Sequence, residues 1–281
     1  MQMILIADSG STKTDWAFVE GERHIVATTQ GINPFHQTQE DILRILREEL
    51  LPNNDVESVT DVYFYGSGVR PEMKSVMKMI LHGAFPRAKA VEAHSDLLGA
   101  ARALCGRNEG IACILGTGAN SCLYDGIHIV NNTPALGYVL GDEGSGAVIG
   151  KRFLHDLYSG LMSENIKSDF DASTGLSLPE IIRRVYREPM PNRFLASLST
   201  FIYNHLDDPA VHQLVLDCFK DFLLIHILPY QRQDLPVSFV GSIAWFFQEQ
   251  LHEAAKALGF EMGIIMRSPL KGLVRYHSIH H

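Results

Sequence analysis

Asp8-Ser9-Gly10-Ser11-Thr12-Lys13-Thr14 sets a carboxylate, several hydroxyls, a glycine and an ammonium side by side in one short segment. An apolar run at residues 2–7 precedes it and the alternating segment Asp15–Glu20 follows, so the segment reads as the turn of a β-hairpin. Such a turn presents backbone N–H groups with little side-chain bulk, a concavity suited to phosphate oxygens. The same composition also serves an ordinary structural hairpin. It is not a P-loop, because G-x-x-x-x-G-K-[ST] is absent and a strand rather than a helix follows. The following strand also excludes a dinucleotide-binding turn. Gly116-Thr117-Gly118-Ala119-Asn120-Ser121 repeats the arrangement between the apolar strand Ile111–Leu115 and the strand Cys122–Gly126. Gly10 and Gly116 lie 106 positions apart, each between two strands, which suggests one architecture built twice.

Four further places carry polar groups able to do chemistry. Asp96, in Glu92-Ala93-His94-Ser95-Asp96-Leu97-Leu98, follows a strand and opens a helix. It could be a general base or, with Ser95, a helix cap. Asn33 precedes Pro34 and could form an Asx turn or meet a polar ligand. Asp142 and Glu143 sit in Gly141-Asp142-Glu143-Gly144-Ser145 before a helix, where they could cap it or line a site. Gly66-Ser67-Gly68 is another glycine turn after a strand.

These residues need an α/β framework to position them. Strands are expected at 2–7, 15–20, 24–29, 59–65 and 88–93, and helices at 38–51, 71–84 and 95–105. The pattern restarts at Ile111. From 176 to 228 it changes to consecutive amphipathic helices at 178–187, 191–205 and 209–227, punctuated by Pro189, Pro191, Pro209 and Pro229. A strand at 236–240, a helix at 243–258 and a strand at 262–266 complete it. The expected domains are residues 1–106 and 107–281, the second with a helical insertion at about 176–228.

Composition narrows the partners. The 281 residues are 46% hydrophobic and 20% charged, with a net charge of −8, the balance of an ordinary globular chain. That charge gives no attraction for nucleic acid or an anionic membrane surface, and the basic residues form no run. Cys105, Cys113, Cys122 and Cys218 have no C-x-x-C spacing and read as buried reduced thiols. The thirteen histidines form no H-E-x-x-H pair. No apolar stretch reaches the ~18 residues needed to span a bilayer, and the short apolar N-terminus reads as a strand, so a cytoplasmic protein is expected.

D-S-G-S-T-K-T-D-W at 8–16, G-T-G-A-N-S at 116–121 and G-D-E-G-S at 141–145 together resemble the BadF/BadG/BcrA/BcrD-type ATPases, and within them the N-acetylglucosamine kinases. The resemblance implies an α/β, two-domain actin-like ATPase (ribonuclease H-like) fold that binds ATP and Mg²⁺ and phosphorylates an amino sugar. Asp8 would then stand near Mg²⁺, with Gly10, Ser11, Thr12 and Lys13 forming the first phosphate loop. Gly116, Thr117 and Gly118 would form the second, and Gly241 and Ser242 would meet the adenosine. The chain departs from its relatives here, with one glycine and a serine where they carry two glycines. Asp96 would be the base, while Asn33, Ser67, Asn120, Asp142 and Glu143 would line the sugar site. A homodimer follows from resemblance alone. Two rivals remain: an iron–sulfur-dependent ATPase activator acting on a protein partner, and a non-catalytic regulatory nucleotide-binding module. The first needs cysteines in glycine turns, whereas Cys113 and Cys122 occupy strand positions.

Overall fold

The computed structural model describes residues 3–10 and 12–278, which divide into two compact units. Of these, the first unit comprises 3–10, 12–108, 126–128 and 268–278; the second comprises 109–125 and 129–267.

The first unit is built on strands β1 (Met3–Ser9), β2 (Lys13–Glu20), β3 (Arg23–Gln30), β4 (Val59–Gly66) and β5 (Ala90–Ser95). They form a mixed sheet in the order β3-β2-β1-β4-β5, with β2 antiparallel to both neighbours and β1, β4 and β5 parallel. β1 is apolar from Met3 to Ala7 because both its faces are covered. Leu5 and Ala7 join Trp16, Phe64 and the helices carrying Ile42, Ile45, Met77 and Ile80 on one face. On the other face, Ile4 and Ile6 meet Ala103, Leu270 and Leu273. Successive side chains of a strand point to opposite faces, so one short run serves two cores.

That second face corrects the expected domain boundary. The sequence reading carried the second domain to residue 281, but the helix Leu270–Ser278 groups with the first unit. Its apolar side, with Leu270, Leu273 and Tyr276 buried, completes the layer over β1 beside the helix Asp96–Cys105.

The second unit repeats the plan with β6 (Gly110–Leu115), β7 (Ala119–Tyr124), β8 (Ile129–Asn131), β9 (Val237–Val240) and β10 (Met262–Met266). The order is β8-β7-β6-β9-β10, the same topology as the first sheet, with β6–β7 and β7–β8 antiparallel and β6–β9 and β9–β10 parallel. The units differ in the crossover from third to fourth strand. In the second unit it holds the helices Gly146–Tyr158, Glu164–Thr174, Leu178–Tyr186, Pro191–Ser197, Ser199–Asn204 and Pro209–Phe222. The helical block thus begins well before residue 176, because Gly146–Tyr158 and Glu164–Thr174 bury Ile149, Phe153, Ile166 and Phe170 in the same core.

Gly150 marks where this block is tightest. A Cβ there would lie 2.0 Å from the Leu195 carbonyl oxygen, so the two helices cross backbone to backbone. Gly150→Ala is expected to destabilise the chain by about 1–3 kcal/mol, read as a lower urea midpoint. An unchanged midpoint would contradict so close a crossing.

Candidate functional site

In the first unit the hairpin between β1 and β2 carries most of the expected groups. Register places Asp8 opposite Asp15 on β2 and beside Tyr65 on β4. The turn is closed by the Gly10 amide donating to the Lys13 carbonyl at 3.0 Å, so this amide is engaged within the turn. Thr12 and Lys13 are exposed, while Ser11 lies outside the described residues. Beneath the turn, Ser9 Oγ and Thr14 Oγ1 lie 2.6 Å apart, and Ser9 Oγ donates to the Ile32 carbonyl at 2.8 Å. This links the hairpin to the segment bearing Asn33.

Three carboxylates meet here. Lys13 Nζ donates to Asp15 Oδ2 at 2.6 Å and Thr28 Oγ1 donates to Asp15 Oδ1 at 2.9 Å, so Asp15 is well supported. Asp8 is not. Burial, then the nearby charges of Asp96 and Asp15, push its pKa up to about 7, against smaller opposing effects of Lys13 and a hydrogen bond from Ser268. Asp96 follows β5 directly. Ser95 is the helix cap, its Oγ accepting from the Leu98 amide at 3.3 Å, and Asp96 Oδ1 accepts from the Leu97 amide at 2.8 Å. A helix N-terminus should hold this carboxylate ionised. Instead, burial outweighs the two backbone amides and raises its pKa, since local sequence cannot report desolvation.

Asn33 forms the Asx turn: its Oδ1 accepts from the Phe35 amide at 3.0 Å, and its own amide donates to Gln37 Oε1 at 2.7 Å. Asn33 Oδ1 would lie 1.9 Å from a Cβ on Gly68, so the Gly66–Gly68 turn and Asn33 are immediate neighbours. Ser67 Oγ is buried there and has no partner among the described residues.

In the second unit the hairpin Gly116–Gly118 sits on a helix start. The Gly146 and Ala147 amides donate to the Gly116 and Thr117 carbonyls at 2.8 and 3.2 Å. A Cβ on Gly118 would lie 2.9 Å from Asp142 Oδ2, which places that carboxylate against the turn. Asp142 has a left-handed backbone (φ 58°) and accepts from the Gly137 and Ala119 amides, yet burial still raises its pKa. Burial is the largest single effect and opposes ionisation of Glu143, but the hydrogen bond with His226, its own backbone amide and nearby His226 and Arg152 together hold its pKa below the usual value. The distance from His226 Nε2 to Glu143 Oε2 is 2.8 Å. Asn120 Oδ1 accepts from the Ser121 amide at 2.9 Å and from Asn132 Nδ2 at 3.0 Å.

Gly241 and Ser242 follow β9. The helix they open, Ser242–Phe246, has only five residues, and a second helix begins at Gln248. The continuous helix expected at 243–258 is therefore interrupted at Phe247. Among the described residues, no group of three or more His, Cys, Asp or Glu side chains is arranged to hold a metal ion. The Asp8 neighbourhood nonetheless offers hard oxygen donors and excess negative charge, which suits a magnesium ion. Cys113 and Cys122 lie within β6 and β7, not in the turn between them. No helix among the described residues is long and apolar enough to cross a membrane.

Sequence reasoning missed Ser268, His226 and Tyr230. Only His226 left a trace, as a polar residue inside the apolar helical stretch Leu223-Leu224-Ile225-His226-Ile227.

No family profile and no curated protein matches the chain. Among solved structures it is 48% identical, with a TM-score of 0.97, to a Porphyromonas gingivalis protein provisionally named an N-acetylglucosamine kinase, over 99% of this chain and 100% of that one. A Chromobacterium violaceum protein of the same provisional name shares 19% identity with a TM-score of 0.74, over 98% of this chain and 99% of that one. A ROK family glucokinase from Streptomyces griseus, in complex with glucose and AMPPNP, shares 14% identity with a TM-score of 0.54, over 99% of this chain and 98% of that one. The last two show the shared fold.

The raised Asp8 pKa makes a stability prediction for the metal- and nucleotide-free chain. Its protonated form is favoured on folding, so its stabilisation is complete below the unfolded value of 3.8 and is lost as pH rises through about 7. Asp8→Asn keeps the shape without the charge. Its melting temperature should exceed the wild type's at pH 8, with the gap closing toward pH 4. A gap that instead widened on acidification would show that the ionised form is the stabilised one.

Proposed function

This chain belongs to the N-acetylglucosamine kinase group of the actin-like ATPases, and on that premise we propose that it transfers the γ-phosphoryl group of ATP to a hydroxyl of an amino sugar, N-acetylglucosamine first among them. The observation that carries the reading is a pairing repeated in both units. Each glycine hairpin has a carboxylate from elsewhere in the sequence close by: half-buried Asp96 near Asp8 in the first unit, buried Asp142 against Gly118 in the second.

The two hairpins serve as phosphate loops, with Gly10, Ser11, Thr12 and Lys13 in one and Gly116, Thr117 and Gly118 in the other. Gly241 and Ser242 serve the adenosine through backbone groups, since so short a helix contributes little dipole. Asp8 is the residue that would hold Mg²⁺, and the ion would neutralise charge on the phosphates. Asn33, Ser67, Asn120, Asp142 and Glu143 bind the sugar hydroxyls and acyl group. Asp96 accepts the proton as the sugar oxygen bonds to the γ-phosphorus and the bond to the ADP oxygen breaks. Its raised pKa fits this role, because a base poised nearer neutrality is the better proton acceptor. The cytoplasm is the natural site of action, where ATP is abundant and the largely buried thiols stay reduced.

ADP release with Mg²⁺-ATP, measured across N-acetylglucosamine, glucosamine, N-acetylmuramate, glucose and no acceptor, tests the proposal. Release should depend on an amino sugar. In Asp96→Asn, turnover should fall about 10²–10⁴-fold with little change in the KM for ATP. Equal slow release with every acceptor and with none would overturn the kinase reading in favour of an ATPase or binding module.

A further inference from the structure

The last helix of the second unit's crossover, Pro209–Phe222 with its continuation to Tyr230, touches Glu143 and the close neighbours of Glu143 and Asn120 at four successive points. At the first, Gly144 lies so close that a Cβ would meet Phe222 Cβ at 2.9 Å and the Cys218 carbonyl oxygen at 3.5 Å. One turn on, the His226 imidazole stacks on the Phe222 ring at 5.1 Å and reaches Glu143 Oε2 at 2.8 Å. Third, the His226 carbonyl accepts from Ser121 Oγ at 3.3 Å and from Thr133 Oγ1 at 3.1 Å. Last, the Tyr230 hydroxyl lies 2.7 Å from Ser121 Oγ and accepts from the Thr133 amide at 3.0 Å.

The proton positions follow from this network. An ionised Glu143 can only accept, so the proton on His226 lies on Nε2. Ser121 directs its hydroxyl hydrogen to the His226 carbonyl, which leaves its oxygen to accept from Tyr230. Beside this chain, Asn132 Nδ2 donates to the Ser121 carbonyl at 2.6 Å and to Asn120 Oδ1 at 3.0 Å. The Ser121 amide and Asn132 Nδ2 both fix the Asn120 side chain through its Oδ1.

His226 is the informative member. Its side chain is 4% exposed and its Nδ1 is buried with no partner among the described residues. A leucine would fill this apolar helix position without leaving a buried acceptor unsatisfied, an omission that costs stability. The imidazole's one directional act is to fix the Glu143 carboxylate. We propose that His226 and Tyr230 are positioning residues for the phosphoryl acceptor: the crossover helix presets Glu143 through His226, and Asn120 through Tyr230 and Ser121, and so governs how tightly the amino sugar is held. This rests on the reading that Asn120, Asp142 and Glu143 line the acceptor site.

The test uses the full chain as wild type, His226→Leu, His226→Gln and Tyr230→Phe. Steady-state kinetics with N-acetylglucosamine and ATP are combined with melting curves with and without the sugar. His226→Leu and Tyr230→Phe should raise the KM for N-acetylglucosamine about 10–100-fold and reduce its effect on the melting temperature, leaving the KM for ATP within about twofold. Gln can donate from its amide nitrogen to Glu143, so His226→Gln should recover most of the sugar affinity. An unchanged sugar KM in folded variants would overturn the inference. So would equal losses in both KM values, or no recovery in His226→Gln, since a merely structural role predicts those results. If His226→Leu does not fold, Tyr230→Phe, lacking only a hydroxyl, decides by the same split between the two KM values. A wild type that neither phosphorylates nor is stabilised by any amino sugar would sink the kinase reading itself, and this inference with it.

Discussion

Three carboxylates, Asp8, Asp15 and Asp96, are brought to one end of the first sheet, and their mutual repulsion is the constraint around which that end is built. Like charges in a desolvated setting cannot all remain ionised without support. Asp15 has Lys13 and Thr28, and Asp96 has the Leu97 amide at a helix start. Asp8 has burial, two neighbouring anions and only weak help from Lys13 and Ser268. Asp8 stands at the mouth of a glycine hairpin. A fold seeking stability alone would place an apolar or amide side chain there, so the unfavourable charge is informative about function.

The same framework is built twice, with identical strand order and a glycine hairpin between the first two strands of each sheet. Divergence is concentrated in the crossover between the third and fourth strands. In the first unit this connection holds the helix Gln39–Ile45 and a short extension, whose Ile42, Ile45, Leu46 and Leu50 share the cover of one face of the sheet with the helix Lys74–Ala84. In the second it holds the whole helical block, which packs into one core with β6 and β9. Lengthening a connection costs little loop entropy, so a surface crossover is a cheap place to add new structure.

Much of this was legible in the sequence because the signals were local. Alternating and continuous apolar runs marked the strands, prolines divided the helical block, and glycine turns marked both hairpins. What stayed hidden depends on partners far away in the chain. The amphipathic pattern of Leu270–Ser278 shows that one side is buried but not which unit it covers. His226 and Glu143 are 83 residues apart, and Tyr230 and Ser121 are 109 apart, with no motif connecting them. The raised pKa of Asp96 was hidden for the same reason: its helix start is a local feature, whereas its burial is set by the tertiary fold. Asn33 was the opposite case, an Asx turn written into Asn33-Pro34-Phe35 and found as such.

The contrast between Asn33 and Glu143 shows how differently a fold can fix polar groups borne on loops. Asn33 is held by its own neighbours, through Phe35 and Gln37, so a few consecutive residues suffice. Glu143 stands on the connection before the helix Gly146–Tyr158 and Asn120 on β7, and neither segment could hold both. A helix is stiff along its axis, and residues spaced four apart share one face. Phe222 ends the α-helix and His226 and Tyr230 lie on its π- and 3₁₀-helical continuation, so this one continuous helical segment reaches Gly144, Glu143, Ser121 and Thr133 in succession. Elements tied to the same segment must keep their relative geometry, and that is what a site binding a small polar ligand at several points requires.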